Sequence, residues 1–150
     1  MRLALLLTVI ALLAPAFAEQ LQRFGDIEAH YVVISTTSLK PEIAQQYDIV
    51  RARDRALVNV ALRNTDGEAI SARIAGNATN LLGQVSELVF REVREDEAIY
   101  YLATLRHTDE ESFRFEIEIR LAGGAPHPGG APHLGGGPHR LRFSQKLYVE

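Results

Sequence analysis

A chain of 150 residues, 47% hydrophobic and 23% charged, has the length and composition of one globular domain, which excludes a disordered, collagen-like or polytopic membrane protein. The absence of cysteine excludes a disulfide framework, a thiolate nucleophile, a zinc site with sulfur ligands and an anchor attached to a lipidated cysteine. The net charge of -3 gives no indication of nucleic-acid binding.

The first eighteen residues have the pattern of a secretory signal peptide. Arg2 supplies a short positive region, residues 3–13 form an apolar run, and Ala16-Phe17-Ala18 is a cleavage site of the A-x-A type. The run is shorter than the ~20 residues of a transmembrane helix; an N-terminal anchor or a buried helix is the alternative. We therefore expect cleavage between Ala18 and Glu19, no membrane anchor after cleavage, and a soluble protein in a bacterial periplasm.

From residue 26 onward, short segments alternate apolar and polar residues, which is typical of β-strands with one buried face. Asn64-Thr65-Asp66-Gly67 is expected to be a hairpin turn, because Asp-Gly tolerates the positive φ of such turns. Pro41 favours a short helix over 42–47, and the glycines and asparagines of 76–83 favour a loop. The predicted strands are 26–35, 56–63, 70–74, 85–93, 98–105, 113–121 and 141–149.

The last two predicted strands have the clearest pattern, with large apolar residues on one face and charged residues on the other. Arg142 and Lys146 are expected to form ion pairs across the ladder with Glu116 and Glu118. Gln145 interrupts the apolar face of the final strand, so we expect it to have a buried hydrogen-bond partner or an edge position.

Seven strands at roughly ten-residue spacing predict an all-β fold, a single antiparallel β-sandwich of Ig-like architecture over residues 19–150, with one short helix. A small β-barrel is the alternative. The term Ig-like describes the architecture alone, because the chain has neither the paired cysteines nor the tryptophan of true immunoglobulin domains.

A tract rich in glycine, proline and histidine separates the last two strands. Residues 123–140 are three hexapeptides without an apolar face, so 122–140 is expected to be a flexible hairpin loop. Imidazole is a common ligand of zinc, copper and nickel, and the tract contains His127, His133 and His139. Successive histidines of this set lie about 19 Å apart in an extended chain, so the loop must fold back for them to share one ion. The tract therefore predicts weak and poorly selective binding of Cu, Ni or Zn; repeat expansion in a tolerant loop is the alternative.

Catalytic motifs are absent from the sequence. It contains no G-x-S-x-G elbow, no H-E-x-x-H, no phosphate-binding loop and no dinucleotide fingerprint. Outside the tract, the histidines are His30, expected on a sheet surface, and His107, expected in a turn. We predict no catalytic residue and no enzyme; the alternative is an enzyme in which one of these histidines lies beside a serine and a carboxylate.

Two surface features are candidates for binding. Arg51, Arg53 and Arg55 form one charged cluster, and a second runs from Arg91 to Glu95. Convergent guanidinium groups bind carboxylates and phosphates, whereas a solvated turn with surface ion pairs is the alternative. An exposed strand edge or the region of two adjacent tyrosines would receive a protein partner. The predicted interaction surface is Arg51, Arg53, Arg55, Arg91, Tyr100 and Tyr101.

Six segments follow one another along the chain: Phe24-Gly25-Asp26 with Tyr31, 55–60, 80–84, 90–95, 98–102 and 143–148. In this order they resemble a family of small exported proteins from gamma-proteobacteria, catalogued as domain of unknown function 4426. The resemblance covers nearly the whole chain after the signal peptide and implies a periplasmic, β-rich domain without an assigned activity. The hexapeptide tract departs from the family pattern, in which a shorter connection is expected.

These observations favour a non-catalytic binding or accessory module of the periplasm. Its partner is an unknown periplasmic protein or small ligand rather than nucleic acid, and no cofactor is expected. Weak transition-metal binding through the tract is the alternative function.

Overall fold

The computed structural model of the protein describes residues 19–121 and 138–149. Nine strands, one 3₁₀ turn at Thr36–Ser38 and one helix make up the regular structure of these residues. The helix, α1, spans Pro41–Gln46 and confirms the predicted short helix. The strands are β1 (Gln20–Phe24), β2 (Ile27–Ser35), β3 (Arg55–Asn64), β4 (Ala72–Asn80), β5 (Val85–Leu88), β6 (Arg91–Glu95), β7 (Ala98–Arg106), β8 (Glu111–Leu121) and β9 (His139–Leu147).

The strands form two antiparallel sheets. The first sheet has the order β1-β2-β3-β7-β6, and the second has the order β5-β4-β8-β9. Because both sheets are open, the structure confirms the predicted β-sandwich and not the barrel. Within the described ranges, the structure contains no helix with the length and hydropathy that a membrane crossing requires.

The main core lies between the two sheets. Alternate residues of the long strands β2, β3, β7 and β8 point into this space, and Val58, Val60, Phe115 and Ile117 are fully buried there. The ring of Phe143 stacks on Phe115 within the second sheet, at 4.7 Å between centroids. It also stacks at 4.4 Å on a tyrosine of the first sheet, Tyr31 of β2. Burial of these side chains holds the sheets face to face.

A second, smaller core lies on the outer face of the first sheet. The segment between β2 and β3, which includes α1, covers part of this face and buries Ala44 and Ile49 against Leu57 and Leu102. Arg91 of β6 donates a hydrogen bond from its guanidinium group to the carbonyl oxygen of Tyr47 at the end of α1. The helix is therefore attached to the sheet by apolar contacts and by one charged hydrogen bond.

The prediction of a loop over 76–83 was wrong. β4 continues to Asn80, and only the four residues up to Gln84 form the turn, with Gly83 at φ 80°. Ala78 of this segment is fully buried. A Cβ atom at Gly76 would lie 2.7 Å from the carbonyl oxygen of Glu116 on β8, so the glycine permits close strand packing here rather than a loop.

The single strand predicted over 85–93 is two strands in different sheets. β5 belongs to the second sheet and β6 to the first, and the chain crosses between them at Val89 and Phe90. Leu88 and Phe90 both pack in the main core, so the period-two pattern continues through the crossing. The Asn64–Gly67 segment is a tight turn as predicted, with Gly67 at φ 79° and an antiparallel bridge between Arg63 and Ala69 beside it. The chain then continues into β4 of the second sheet.

The strand β1 was not predicted. Its sequence is mostly polar and it pairs with β2 over its whole length, from the Gln20–Tyr31 pair to the Phe24–Ile27 pair. Its position is therefore set by the ladder hydrogen bonds with β2, which the alternation of its own residues does not indicate.

Of the polar contacts predicted for the final strand, the structure confirms two and contradicts one. Gln145 donates a hydrogen bond of 3.1 Å from Nε2 to the carbonyl oxygen of Val33 on the facing sheet, which confirms the expected partner. Arg142 pairs with Glu116 at 2.9 Å, also as predicted. The pair predicted between Lys146 and Glu118 is wrong, because the register places Ser112 opposite the lysine.

The buried hydroxyl group of Tyr101 links three parts of the chain. It accepts a hydrogen bond of 2.8 Å from the backbone N–H of Ala72 and donates one of 2.9 Å to Oε1 of Glu92. We expect Tyr101→Phe to lower the free energy of unfolding by about 1–3 kcal/mol, because the Ala72 N–H loses its partner. Urea unfolding measures this change.

The matched control is Tyr148→Phe, since the side chain of Tyr148 is about half exposed and its ring lies near the Lys146 ammonium. We expect this control to change stability by less than about 0.5 kcal/mol. Equal losses in the two variants would contradict the role of the Tyr101 hydroxyl group.

Candidate functional site

A polar cleft lies at the end of the sandwich where β7 ends and β8 begins. It has a volume of about 300 Å³, and the β4–β5 turn forms part of its wall. We call it the His107 cleft, after its most buried ionisable residue. Its lining residues are Asp54, Asn80, Gln84, Ser86, Arg106, His107, Thr108, Glu111 and Phe113.

His107 follows the last residue of β7 and is held by its backbone and its ring. Its backbone N–H donates a hydrogen bond of 2.9 Å to the carbonyl oxygen of Asp54, and only 7% of the residue is exposed. The ring Nδ1 lies 2.9 Å from the carbonyl oxygen of Thr108. Because a carbonyl oxygen only accepts, Nδ1 carries the hydrogen in this contact, and Nε2 is the ring nitrogen with a lone pair in the neutral form.

Glu111 is held as a carboxylate at the start of β8. Its side chain accepts hydrogen bonds from the Thr108 backbone N–H at 2.6 Å and from Asn80 Nδ2 at 2.9 Å. Burial by itself raises the pKa of Glu111, but these hydrogen bonds to the charged form lower it by more, so the pKa lies below its ordinary value.

One arginine, Arg106, lines the cleft together with the carboxylates of Asp54 and Glu111. Arg106 donates a hydrogen bond of 3.1 Å to Oδ2 of Asp54, and this contact holds the pKa of the Asp54 carboxyl group below its usual range. The β3–β7 register places Arg55 directly opposite Arg106, so two guanidinium groups share one aspartate. Like charges in opposite positions of a ladder are destabilising, and the carboxylate of Asp54 offsets this repulsion.

Of the predicted cluster of Arg51, Arg53 and Arg55, the structure places Arg55 opposite Arg106, which comes from a distant part of the sequence. The guanidinium group of Arg51 instead donates a hydrogen bond of 2.9 Å to the carbonyl oxygen of Thr37. We call Arg55 and Arg106 the basic rim. Sequence spacing does not reveal Arg106, because only the pairing of β3 with β7 places it there.

The rest of the predicted interaction surface lies elsewhere. Tyr101 is only 4% exposed and belongs to the main core, so it does not offer the expected surface. Tyr100 points to the opposite face of β7 and packs in the smaller core. Tyr100 lies six residues before Arg106 on β7, a distance of about 20 Å along the strand. Arg91 is also separate from Arg106, because its guanidinium group is bonded to the end of α1.

A group of exposed apolar side chains lies beside the cleft, on the β4–β5 turn and along β5. Val85 is 65% exposed and Leu81 is 87% exposed. β5 pairs with β4 on one side, and within the described residues no strand lies on its other side. We call β5 with these side chains the apolar edge, whose exposed members are Leu81, Leu82, Val85 and Val89.

Two of the other three sheet edges have more charged side chains than β5. β6 is the segment Arg-Glu-Val-Arg-Glu, and β9 has Arg140, Arg142 and Lys146. Charged residues on an edge strand oppose the addition of a further strand. β1 and β5 have one charged residue each, but β1 has one exposed large apolar residue, Leu21, whereas four such residues lie on and beside β5.

His30 lies on the outer face of the first sheet, as predicted. Its Nδ1 is 3.4 Å from Oε1 of Glu19, and its Nε2 is 3.2 Å from Oε2 of Glu28. In the part of the chain that the structure describes, both ring nitrogens of His30 thus contact carboxylates. Among these residues, neither nitrogen contacts the serine that a catalytic triad needs.

The predicted metal ligands are only partly described by the structure. His127 and His133 lie outside the described residues. His139 begins β9, where its ring lies 5.2 Å from that of Phe24, so the end of the predicted 122–140 loop is strand. Residues 19–121 and 138–149 contain no group of three or more His, Cys, Asp or Glu side chains placed to hold a metal ion.

Comparison with known proteins gives one family and several related structures. A family model described as a domain of unknown function, DUF4426, matches residues 21–150. A DUF4426 family protein from Pseudomonas aeruginosa is 30% identical with a TM-score of 0.71, and the match covers 88% of this chain and 96% of that chain. No curated protein matches the chain.

Two copper-bound proteins are similar in fold alone. A variant of FetP from uropathogenic Escherichia coli is 15% identical, with a TM-score of 0.62 and coverage of 89% of this chain and 97% of that chain. A variant of P19 from Campylobacter jejuni is 9% identical, with a TM-score of 0.56 and coverage of 89% and 96%.

The Arg106–Asp54 contact gives a direct test of the electrostatics of the basic rim. We expect Arg106→Gln to raise the pKa of Asp54 toward its ordinary value, because the charged hydrogen bond is the largest cause of the lowering. The pair favours the folded state above the ordinary pKa of aspartate, and its contribution is lost as the pH falls through the lowered value.

NMR titration of the Asp54 side-chain carboxyl carbon measures this pKa. The control is Arg142→Gln, which breaks the ion pair with Glu116 on the second sheet and leaves the Asp54 pKa unchanged. An Asp54 pKa that does not differ between wild type and Arg106→Gln would contradict the assignment.

Proposed function

The chain belongs to the DUF4426 family of unknown function, and from this premise we propose that it is a non-catalytic binding module of the periplasm that receives an extended segment of a partner protein on its apolar edge. The observation that carries this proposal is the exposure of Leu81, Leu82, Val85 and Val89 on and beside an open sheet edge that has a single charged residue. An extended peptide that pairs with an open edge gains main-chain hydrogen bonds, and its alternate side chains gain apolar contacts.

The chemistry of the His107 cleft fits binding better than catalysis. Its two carboxylates already accept hydrogen bonds, Asp54 from Arg106 and Glu111 from Thr108. Nδ1 of His107 contacts a backbone carbonyl oxygen, not the carboxylate that orients the histidine of a triad. The periplasmic location rests on the predicted signal peptide and on the fold shared with a FetP structure from protein expressed in the periplasm.

Site-specific crosslinking in living cells tests the edge. We expect a photoreactive residue at position 85 to capture a reproducible partner, identified by mass spectrometry, because Val85 begins the free edge. Val89→Lys should abolish this capture by placing a charge on the edge. Val50→Lys is the matched control, since Val50 is a similarly exposed valine outside β5.

Two results would contradict the proposal. One is a loss of capture at position 85 in Val50→Lys as large as the loss in Val89→Lys. The other is turnover of a substrate by the purified protein that is lost in His107→Ala, which would show that the protein is an enzyme.

A second candidate function is transition-metal binding through the histidine tract. The observation that favours it is the copper-bound state of two proteins with this fold. The described residues contain no group of three or more His, Cys, Asp or Glu side chains placed to hold a metal ion, so this candidate function assigns the copper ligands to His127 and His133. We expect Cu(II) to bind weakly at pH 7 and less tightly below about pH 6, where imidazole is protonated.

Titration calorimetry of Cu(II) with the double variant His127→Gln/His133→Gln tests this function. His139 is retained, because its ring packs against Phe24 and its loss would disturb β9. His30→Gln is the control, since its ring contacts two glutamates outside the tract. Unchanged Cu(II) affinity in the double variant would refute metal binding by the tract.

A further inference from the structure

The edge strand β5 presents one charged side chain, Glu87, beside apolar ones. Leu88 is buried in the main core, whereas Val85 and Glu87, on the opposite face of the strand, are exposed on the outer side of the second sheet. The register places the neutral side chain of Asn77 on β4 opposite Glu87. A strand that docks on the free side of β5 therefore has Val85 and Glu87 as its cross-strand neighbours on this face.

A groove of about 520 Å³ adjoins Glu87 on the same outer face. It follows β4, because β4 lies between β5 and β8 in the sheet and contributes the small residues Ala75 and Gly76 to the lining. The charged residues of the lining are Glu87, Glu116, Glu118 and Arg140. Because carboxylates outnumber cations here, the charge balance of this face favours a cationic side chain over an anionic one.

Glu87 is the carboxylate of this lining whose charge is not offset by a neighbour among the described residues. Glu116 is paired with Arg142 at 2.9 Å, and Glu118 is paired with Arg120 at 2.7 Å. In residues 19–121 and 138–149, the side chain of Glu87 has neither an ion pair nor a hydrogen bond. A lysine or arginine directly opposite it on a docked strand stabilises the pairing, and a glutamate there destabilises it.

A second copy of β5 does not supply this cation. Two copies that pair antiparallel about a two-fold axis place side chains of the same sheet face opposite each other. Where Ser86 lies opposite its own copy, Glu87 meets Val85, and where Glu87 lies opposite its own copy, two carboxylates meet. Neither register offsets the charge of Glu87, so the edge fits a segment of different sequence.

We propose that the partner segment docked along β5 carries a lysine or arginine opposite Glu87 and an apolar residue opposite Val85. This inference rests on the proposed function for the docking of the strand, and it adds the chemistry of the segment. The strand pairs of the second sheet are all antiparallel, and antiparallel pairing is the more stable kind. In this orientation the basic residue of the partner precedes its apolar residue by two positions.

NMR titration of the mature protein with three pentapeptides tests the inference. The first is N-acetyl-Thr-Lys-Thr-Val-Thr-amide, the second has glutamate in place of the lysine, and the third is N-acetyl-Thr-Val-Thr-Lys-Thr-amide, in which the order is reversed. Capped ends remove the terminal charges. Backbone amide signals of Val85 and Glu87 report on the edge, and the signal of Arg142 on β9 reports on non-specific binding to the same sheet.

We expect the first peptide to shift the signals of β5 saturably and to bind at least about threefold more tightly than the glutamate peptide. The reversed peptide should bind more weakly than the first, because with its lysine opposite Glu87 it has no valine opposite Val85. Glu87→Lys should reverse the preference between the lysine and glutamate peptides. The matched control is Glu42→Lys, which makes the same charge change at an exposed position of α1 and should keep the preference for lysine.

Each other outcome identifies what fails. Equal binding of the lysine and glutamate peptides at the edge overturns the inference and leaves strand docking in place. A preference lost equally in Glu42→Lys and Glu87→Lys shows attraction by net charge alone, which also overturns it. Equal binding of the first and reversed peptides overturns the antiparallel order. No shift along β5 with any peptide up to its solubility limit overturns the inference, whereas the crosslinking experiment still decides the proposed function.

Discussion

The structure depends on the burial of two apolar sheet faces against each other. Phe143 stacks on a ring from each sheet, and the alternate residues of β3 and β8 are fully buried between them. Because this burial requires every strand to keep its apolar face inward, the chain changes sheets only between strands, at the ends of the sandwich. Loops and turns therefore gather at these ends, and the His107 cleft is formed by one such group of turns.

Strand pairing then determines which charges meet at that end. The β3–β7 register brings two arginines into opposite positions, and the turn after β7 brings His107 to Asp54. The exposed surroundings of Arg106 and Asp54 keep the energetic cost of this arrangement small, because water screens the like charges. A surface of this kind has little influence on the stability of the fold and a larger influence on which ligands approach.

The fold shared with copper-bound proteins and the side chains of this chain point to different kinds of binding. The FetP and P19 structures show that copper-bound proteins exist on this sandwich, but at 15% and 9% identity they establish the fold alone. Function depends on the side chains that a fold presents, not on the sandwich itself. In residues 19–121 and 138–149, these side chains form a basic rim and an apolar edge instead of a metal-binding group.

The sequence by itself determined the fold class, the short helix and the partner requirement of Gln145, because alternation, a proline at a helix start and a polar residue on an apolar face are local properties. The order of several segments along the chain indicated the family. It did not indicate that 76–83 is mostly strand or that 85–93 divides between sheets. Gly76 pairs with Ile117 of β8 inside the sheet, where β8 leaves no room for a Cβ atom. Leu88 and Phe90 keep the same alternation through the crossing between the sheets. Only the tertiary structure placed Arg106 opposite Arg55 and buried Tyr101, because pairing between distant strands decides which side chains meet, and alternation defines only the face on which each one lies.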